Sequence, residues 1–173
     1  MFESIKKVKE QFLWNPPFDY ARGKEFRRIV VCGMGGSNLA SGVLEMISSR
    51  QTGLLPDLEI LIHRSYGLPT TASREDLIIV SSYSGNPEEA LNSFEQAVDG
   101  GFNVVAVSVG GKLLGLAKEK NIPHIQIPKT DIEPRMVIGY SLLAMLKAVG
   151  DEENLKRAQR FGENFNPGKF EEE

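Results

Sequence analysis

The chain has 173 residues, of which 41% are hydrophobic and 25% charged, enough for one globular domain with a sizeable core and too few for two ordinary domains. Its formal net charge is −3, and Lys and Arg do not cluster, which argues against nucleic acid or an anionic membrane as a partner. No apolar stretch approaches the roughly 18 residues of a membrane span. One cysteine and two histidines exclude an internal disulfide and argue against a metal centre.

Charged and apolar residues alternate from Met1 to Glu10, without the apolar core of a secretory signal, so we expect a cytoplasmic protein. In the same segment, apolar residues from Phe2 to Phe12 recur at helical spacing and predict an amphipathic helix that ends at Asn15-Pro16-Pro17.

Patterns typical of strands and helices then alternate along the chain. Short apolar runs rich in β-branched residues predict buried strands, and apolar residues spaced three or four apart predict helices. In chain order the predictions are a strand at 28–32, a helix from 37 to about 49, strands at 59–63 and 77–81, a helix at 87–98, a strand at 104–107, a helix at 113–120, a strand at 125–127 and a largely buried helix at 136–149.

This alternation predicts an α/β fold, in which βαβ units build a three-layer α-β-α sandwich around a five-stranded parallel sheet. We expect one domain over residues 1–163, with the amphipathic helix at its start, and a linker or frayed acidic tail over residues 164–173. Ligands of open parallel sheets bind at the carboxyl ends of the strands. The segments that follow the predicted strands are therefore where a binding site is expected.

Two predicted strands run directly into glycine and small polar residues. The first segment is Gly33-Met34-Gly35-Gly36-Ser37-Asn38, and the second is Ser81-Ser82-Tyr83-Ser84-Gly85-Asn86. Glycine lets the backbone approach a ligand closely, and the N–H groups at the start of the following helix favour an anion. Either segment alone is compatible with an ordinary helix cap or turn, but the pair favours one shared phosphate, as on a sugar phosphate.

Two nucleotide-binding motifs fit the sequence less well than a site for a single phosphate does. Gly33 and Gly35 match the first two glycines of a dinucleotide fingerprint, but Asn38 stands at the third. Gly111-Lys112 is followed by Leu113, where a Walker A loop needs Ser or Thr.

Arg135 lies in Glu133-Pro134-Arg135-Met136, just before the predicted buried helix. Its guanidinium either forms an ion pair that stabilises the fold or stabilises negative charge that develops on a substrate oxygen, and the sequence leaves both open. For His63 and His124, a structural hydrogen-bonding role is favoured over a catalytic one.

The order and spacing of these motifs resemble the sugar isomerase (SIS) domain family, most closely the amino-terminal half of the bifunctional phosphoglucose/phosphomannose isomerases. The resemblance extends over residues 20–150. The motifs that carry it are Gly33-Met34-Gly35-Gly36-Ser37, Arg64-Ser65-Tyr66 with Leu68-Pro69, Ser82-Tyr83-Ser84-Gly85-Asn86, and Pro134-Arg135 with Gly139-Tyr140.

The resemblance implies an enzyme that interconverts glucose 6-phosphate or mannose 6-phosphate with fructose 6-phosphate, without a metal or organic cofactor. Arg135 would stabilise the enediolate-like intermediate. The residues that would hold the phosphate are Gly35, Gly36 and Ser37 in the first segment and Ser82 and Ser84 in the second.

The resemblance also implies a site at the contact between two SIS domains, and therefore a homodimer or a complementary SIS chain as partner. The apolar faces of the predicted helices at 2–12 and 136–149 are candidate contact surfaces, with packing inside the chain as the alternative.

The sequence departs from the family pattern in two respects. Pro87 stands where the family usually has a threonine whose hydroxyl contacts phosphate, and proline has neither a hydroxyl nor an N–H. The family's proton-shuttling glutamate and ring-opening histidine come from regions that this sequence does not match. Three hypotheses follow: half of an aldose–ketose isomerase, a non-catalytic phosphosugar-binding sensor, and a structural or assembly domain.

Overall fold

Five strands form one parallel sheet in the computed structural model, which describes residues 5–18, 26–48 and 58–170. Their order across the sheet is β2-β1-β3-β4-β5. Val31 pairs with Ile79 across β1 and β3, and Ile79 pairs with Val105 across β3 and β4. The strands are β1 (Arg28–Cys32), β2 (Glu59–His63), β3 (Leu77–Ser81), β4 (Asn103–Ser108) and β5 (His124–Gln126).

Helices connect the strands and cover both faces of the sheet. Short 3₁₀ turns at Gly35–Asn38 and Pro134–Met136 precede the second and fifth helices, and another covers Pro167–Phe170. The helices are α1 (Val8–Leu13), α2 (Leu39–Ser48), α3 (Glu88–Asp99), α4 (Gly111–Glu119), α5 (Ile138–Val149) and α6 (Glu152–Asn164).

Each face of the sheet has its own core, because successive side chains of a strand point to opposite sides. Ile29 and Val31 of β1 pack with residues of α2 and α5, whereas Val30 and Cys32 pack with residues of α3 and α4. This arrangement confirms the predicted three-layer α/β sandwich.

The two helices considered as contact surfaces both have partners inside the chain. Leu143 and Met145 of α5 are fully buried, which confirms the prediction of a largely buried helix. The rings of Phe12 in α1 and Phe161 in α6 lie 5.0 Å apart edge to face, and a Cβ atom on Gly162 would lie 2.6 Å from Phe12 Cβ. Packing inside the chain therefore accounts for these apolar faces as far as the structure describes them.

Some boundaries differ from the sequence predictions. The predicted helix from residue 37 begins as the 3₁₀ turn, and α2 itself starts at Leu39. Pro87 is the N-cap of α3, which begins at Glu88. No element is predicted over α6, because few of its residues are apolar and its burial depends on contact with α1. The predicted helix start at Phe2 and the last three residues of the predicted tail lie outside the described residues.

Within the described ranges, no helix combines the length and hydropathy needed to cross a membrane.

Leu143 tests the placement of α5. Its side chain is fully buried, so Leu143→Ala removes apolar contacts and leaves a cavity. We expect the free energy of unfolding to fall by about 2–5 kcal/mol, measured by urea denaturation followed by circular dichroism. Leu13→Ala, at a side chain that is 46% exposed, is the control and should cost less than about 1 kcal/mol. Equal losses in the two variants would contradict this placement.

Candidate functional site

The predicted binding segments lie where the strand order reverses. β1 continues through α2 to β2 on one side, and β3 continues through α3 to β4 on the other. Because α2 and α3 pack on opposite faces of the sheet, the segments after β1 and β3 leave it in opposite directions. Such a divergence opens a crevice at the carboxyl ends of two neighbouring strands, where open α/β sheets bind ligands.

Loop 1 (residues 33–38) is shaped by a buried asparagine. Asn38 is 4% exposed, donates to the carbonyl oxygen of Gly33 and accepts from Ser41 Oγ at 3.2 Å. A Cβ atom on Gly33 would lie 2.5 Å from the carbonyl oxygen of Ser81, so only glycine lets the loop pass this close to the end of β3. Asn38, which breaks the dinucleotide fingerprint, is the residue that closes loop 1.

Loop 2 (residues 82–86) is a tight turn at the end of β3. Ser82 is buried, and its Oγ accepts the N–H of Gly85 at 3.2 Å. Gly85 has φ +71°, a conformation that favours glycine. Ser84 is exposed. Ser82 therefore holds the backbone of the turn, while Ser84 is accessible to a ligand.

Loop 3 (residues 109–112), in which the sequence shows only an incomplete Walker A motif, packs against loop 2. A Cβ atom on Gly85 would lie 2.0 Å from the carbonyl oxygen of Gly110. Asn86 Oδ1 accepts the N–H of Lys112 at 3.1 Å, and Lys112 is exposed. The feature that could have identified loop 3 is the pair Gly110-Gly111 directly after β4, because it repeats the glycine pattern of the other two loops.

A hydrogen bond joins loops 1 and 2 across the crevice. Tyr83 of loop 2 donates its backbone N–H to Ser37 Oγ of loop 1 at 3.0 Å. This bond uses a lone pair of the hydroxyl, so the Ser37 O–H can still donate. Ser82 Oγ is used in the same way by Gly85. Each of these hydroxyls therefore retains its O–H as a possible donor, a property that suits a ligand offering only acceptors, such as a phosphate.

Arg135 stands beside loop 1. A Cβ atom on Gly36 would lie 2.8 Å from Arg135 Cα, so loop 1 and the Pro134–Met136 turn touch through their backbones. The Arg135 side chain is 74% exposed, and its Nη2 lies 3.4 Å from a carboxylate oxygen of Glu133, which is also exposed. Exposed pairs of this kind contribute little to stability. The charge of Arg135 is therefore available to a ligand.

Gln11 of α1 holds this turn in place. It is 1% exposed; its Nε2 donates to the carbonyl oxygen of Met136 at 3.0 Å, and its Oε1 accepts the N–H of Gly139 at 3.0 Å. One amide thereby satisfies the end of the Pro134–Met136 turn and an N–H in the first turn of α5, which has no partner within its own helix.

Acidic side chains follow loop 2. Glu88 and Glu89 begin α3, where they interact favourably with the helix dipole. Tyr66 donates its hydroxyl to Glu88 at 3.5 Å. The pKa of the Tyr66 phenol is raised, chiefly by the charge of Glu89 and further by burial and by Glu88, because these surroundings disfavour a phenolate.

Both histidines make local contacts with backbone carbonyls. His63 Nε2 lies 3.3 Å from the carbonyl oxygen of Tyr66. His124 begins β5, at the end of the strand remote from the loops, and its Nδ1 lies 3.2 Å from the carbonyl oxygen of Ile122. In the part of the chain that the structure describes, no three His, Cys, Asp or Glu side chains are grouped as metal ligands.

Comparison with known proteins identifies sequence relatives. No protein-family model matches the chain. It is 29% identical over 151 residues to a bifunctional phosphoglucose/phosphomannose isomerase of Caldicellulosiruptor bescii, a match that covers 84% of this chain and 43% of that protein. It is 32% identical over 163 residues to another of Aquifex aeolicus, covering 91% and 49%. The chain spans about half the length of these curated relatives.

Solved structures share the fold at low sequence identity. A proposed phosphosugar isomerase of Bacillus subtilis superposes with a TM-score of 0.59 at 14% identity, covering 94% of this chain and 52% of that one. Vibrio vulnificus NanR in complex with ManNAc-6P gives 0.54 at 13%, covering 91% and 58%. The sugar isomerase domain of an RpiR transcription factor of Sphaerobacter thermophilus gives 0.50 at 14%, covering 94% and 87%.

These findings confirm the resemblance predicted from the sequence. The chain is related to bifunctional phosphoglucose/phosphomannose isomerases over most of its own length, and it has the fold of a sugar isomerase domain.

Gln11→Leu tests the support of the Arg135 turn. The variant leaves the buried N–H of Gly139 without its partner, and one such group costs about 1–3 kcal/mol. We expect a loss of that size in the free energy of unfolding, measured by urea denaturation. Gln126→Leu is the control, because that exposed side chain makes one hydrogen bond, to the carbonyl of Val109, and should cost less. A Gln11 variant as stable as the control would show that the two bonds do not hold the turn.

Cys32, the last residue of β1 and directly before loop 1, tests the burial of this end of the strand. Burial raises the pKa of its thiol to about 12, so the folded protein should react slowly with a thiol reagent at about pH 8, and the unfolded protein quickly. As pH rises from 9.0, the ordinary value, to about 12, the unfolded state loses this proton first, so stability should fall. Equal reaction rates before and after unfolding would contradict the burial of this thiol.

Proposed function

We propose that the chain binds a hexose 6-phosphate in the crevice between loops 1 and 2, and that it supplies this site to an aldose–ketose isomerase acting on glucose, mannose and fructose 6-phosphates. The observation that carries the proposal is the Ser37–Tyr83 hydrogen bond, because it holds two glycine- and serine-rich loops within reach of one small anion. The activity named for the curated relatives and the ManNAc-6P held by NanR support the same class of ligand.

The phosphate in this proposal is held by neutral donors. The hydroxyls of Ser37 and Ser84 donate to its oxygens, together with the backbone N–H groups of Gly35 and Gly36 at the start of the segment that leads into α2. Ser82 contributes mainly by holding loop 2 in its tight turn. Lys112 of loop 3 is an exposed cation beside loop 2, and it adds a positive charge for the same anion.

Arg135 acts on the part of the substrate that reacts. Isomerisation moves a proton between C2 and C1 of the open-chain sugar, and negative charge develops on the neighbouring oxygen as the enediolate forms. A permanently charged guanidinium beside loop 1 stabilises this charge more than it stabilises the uncharged carbonyl group of the bound sugar, which lowers the barrier. The proton-transfer base and the ring-opening group are those that the resemblance assigns to a second SIS domain, so turnover requires that domain.

A non-catalytic phosphosugar sensor is the second candidate, and Pro87 favours it. Pro87 is the N-cap of α3, where it offers loop 2 neither a hydroxyl nor an N–H. A hydrogen bond to a charged group is worth about 1.5–3 kcal/mol, so affinity for phosphate is reduced relative to a chain with threonine there. The same fold occurs in the sugar isomerase domain of an RpiR transcription factor.

Calorimetric titration with glucose 6-phosphate and fructose 6-phosphate tests the binding site. Ser84→Ala removes an exposed hydroxyl and should weaken binding roughly 10- to 150-fold, which corresponds to about 1.5–3 kcal/mol for one hydrogen bond to an anion. Ser73→Ala, an exposed serine before β3 at the opposite end of the sheet, is the matched control and should bind as the wild type does. Absent binding in the wild type, or equal binding in both variants, would contradict the site.

An isomerase assay on the same proteins separates the two candidates. The assay is run on the chain alone and on the chain mixed with any SIS-like chain that a neighbouring gene encodes. Turnover that Arg135→Ala abolishes, while most of the binding is kept, supports the isomerase. Binding without turnover in either arrangement supports the sensor, and neither binding nor turnover in folded protein would reject both candidates.

A further inference from the structure

The side chain of Arg135 is not fixed by other side chains. Arg135 and Glu133 are both exposed, and theirs is the one ion pair that Arg135 makes within the described part of the chain. An exposed pair of this kind orders two long side chains only weakly. The position of the guanidinium therefore depends on the backbone of the Pro134–Met136 turn, and so on whatever holds the segment that leads into it.

Tyr83 of loop 2 contacts that segment through its phenol. Its hydroxyl oxygen lies 3.1 Å from Thr130 Oγ1 and donates to the carbonyl oxygen of Thr130 at 3.4 Å. Thr130 Oγ1 also accepts the N–H of Ile132 at 3.3 Å. All three bonds form together when the Thr130 hydroxyl donates to Tyr83 and the Tyr83 hydroxyl donates to the carbonyl. The Tyr83 side chain therefore holds residues 130–132.

The chain between Thr130 and Arg135 is short and constrained. Ile132 is 5% exposed and belongs to the core. The carbonyl oxygen of Glu133 accepts the N–H of Met136 at 2.7 Å, and the ring of Pro134 fixes one of the backbone torsions between them. Because few torsions are free over these residues, a shift of Thr130 moves the turn that carries Arg135.

Packing alone does not require a hydroxyl on Tyr83. Its ring is partly buried against the core beneath α2 and α5, a space that phenylalanine would fill equally well. The backbone N–H of the same residue donates to Ser37 Oγ of loop 1. Tyr83 thus contacts loop 1 through its main chain and the segment before Arg135 through its phenol.

We propose that Tyr83 is a positioning residue, whose hydroxyl sets, through Thr130, the distance between the Arg135 guanidinium and the phosphate held by loops 1 and 2. The inference rests on the proposed function, because it concerns a substrate that both groups hold. In a hexose 6-phosphate the phosphate is on C6, whereas the enediolate charge develops at C1 and C2. A catalyst that holds both ends of such a substrate needs a fixed distance between them.

Calorimetric titration with two anions separates the two ends of the site. Inorganic phosphate reports on loops 1 and 2. Arabinonate 5-phosphate also carries a carboxylate where the enediolate oxygen forms, so it reports on Arg135 as well. Tyr83→Phe keeps the backbone bond to Ser37 and should change the affinity for phosphate less than about twofold, while the affinity for arabinonate 5-phosphate falls about 3- to 10-fold. A variant that binds both anions as the wild type does would overturn the proposal.

A double-mutant cycle tests whether Tyr83 acts through Arg135. In an Arg135→Ala background, Tyr83→Phe should cause no further loss of affinity for arabinonate 5-phosphate, because the group that it positions is gone. Thr130→Val should have the same selective effect as Tyr83→Phe. Thr70→Val, at an exposed threonine before β3, is the matched control and should bind as the wild type does. Equal losses for the two anions, or a loss that persists without Arg135, would show a general structural role and overturn the proposal.

Hydrogen exchange without a ligand keeps this test separate from that of the proposed function. Tyr83→Phe should raise the amide exchange rate over residues 130–136 severalfold and leave loop 1 unchanged, measured by mass spectrometry. Unchanged exchange over residues 130–136 would overturn the proposal, even in a protein that binds both anions. If the wild type binds neither anion, the proposed function fails, and faster exchange in the variant still supports the link from Tyr83 to the turn.

Discussion

The reversal of strand order between β1 and β3 is the constraint on which the candidate site depends. It sends loops 1 and 2 toward opposite faces of the sheet while keeping their origins on adjacent strands. The Tyr83 N–H then joins the two loops by donating to Ser37 Oγ, and glycine at position 33 lets loop 1 pass close to the carbonyl oxygen of Ser81 at the end of β3. The candidate donors of both loops are therefore held in position by contacts within the folded chain.

The fold could be predicted from the sequence because its strands are short apolar runs rich in β-branched residues, such as Ile29-Val30-Val31, which favour buried strands. The order of those strands could not. A sequence gives the succession of elements, whereas loop 3 joins the site only because β4 lies beside β3 in the sheet. Helix α6 was not predicted for a related reason. Few of its residues are apolar, and it is buried through its contact with α1.

The residues of the candidate site also fall into two groups, those that the sequence predicts and those that only the folded structure identifies. Ser37 and Ser84 could be predicted as candidates because hydroxyls and glycines directly after predicted strands favour an anion on chemical grounds. For Arg135 the sequence left a structural ion pair open beside the stabilisation of developing charge. Gln11 and Asn38 carry no such chemical indication. Gln11 matters through contacts with Met136 and Gly139, more than 120 residues away, and Asn38 through a bond inside its own loop. Residues that support a site depend on the folded geometry, and composition does not reveal them.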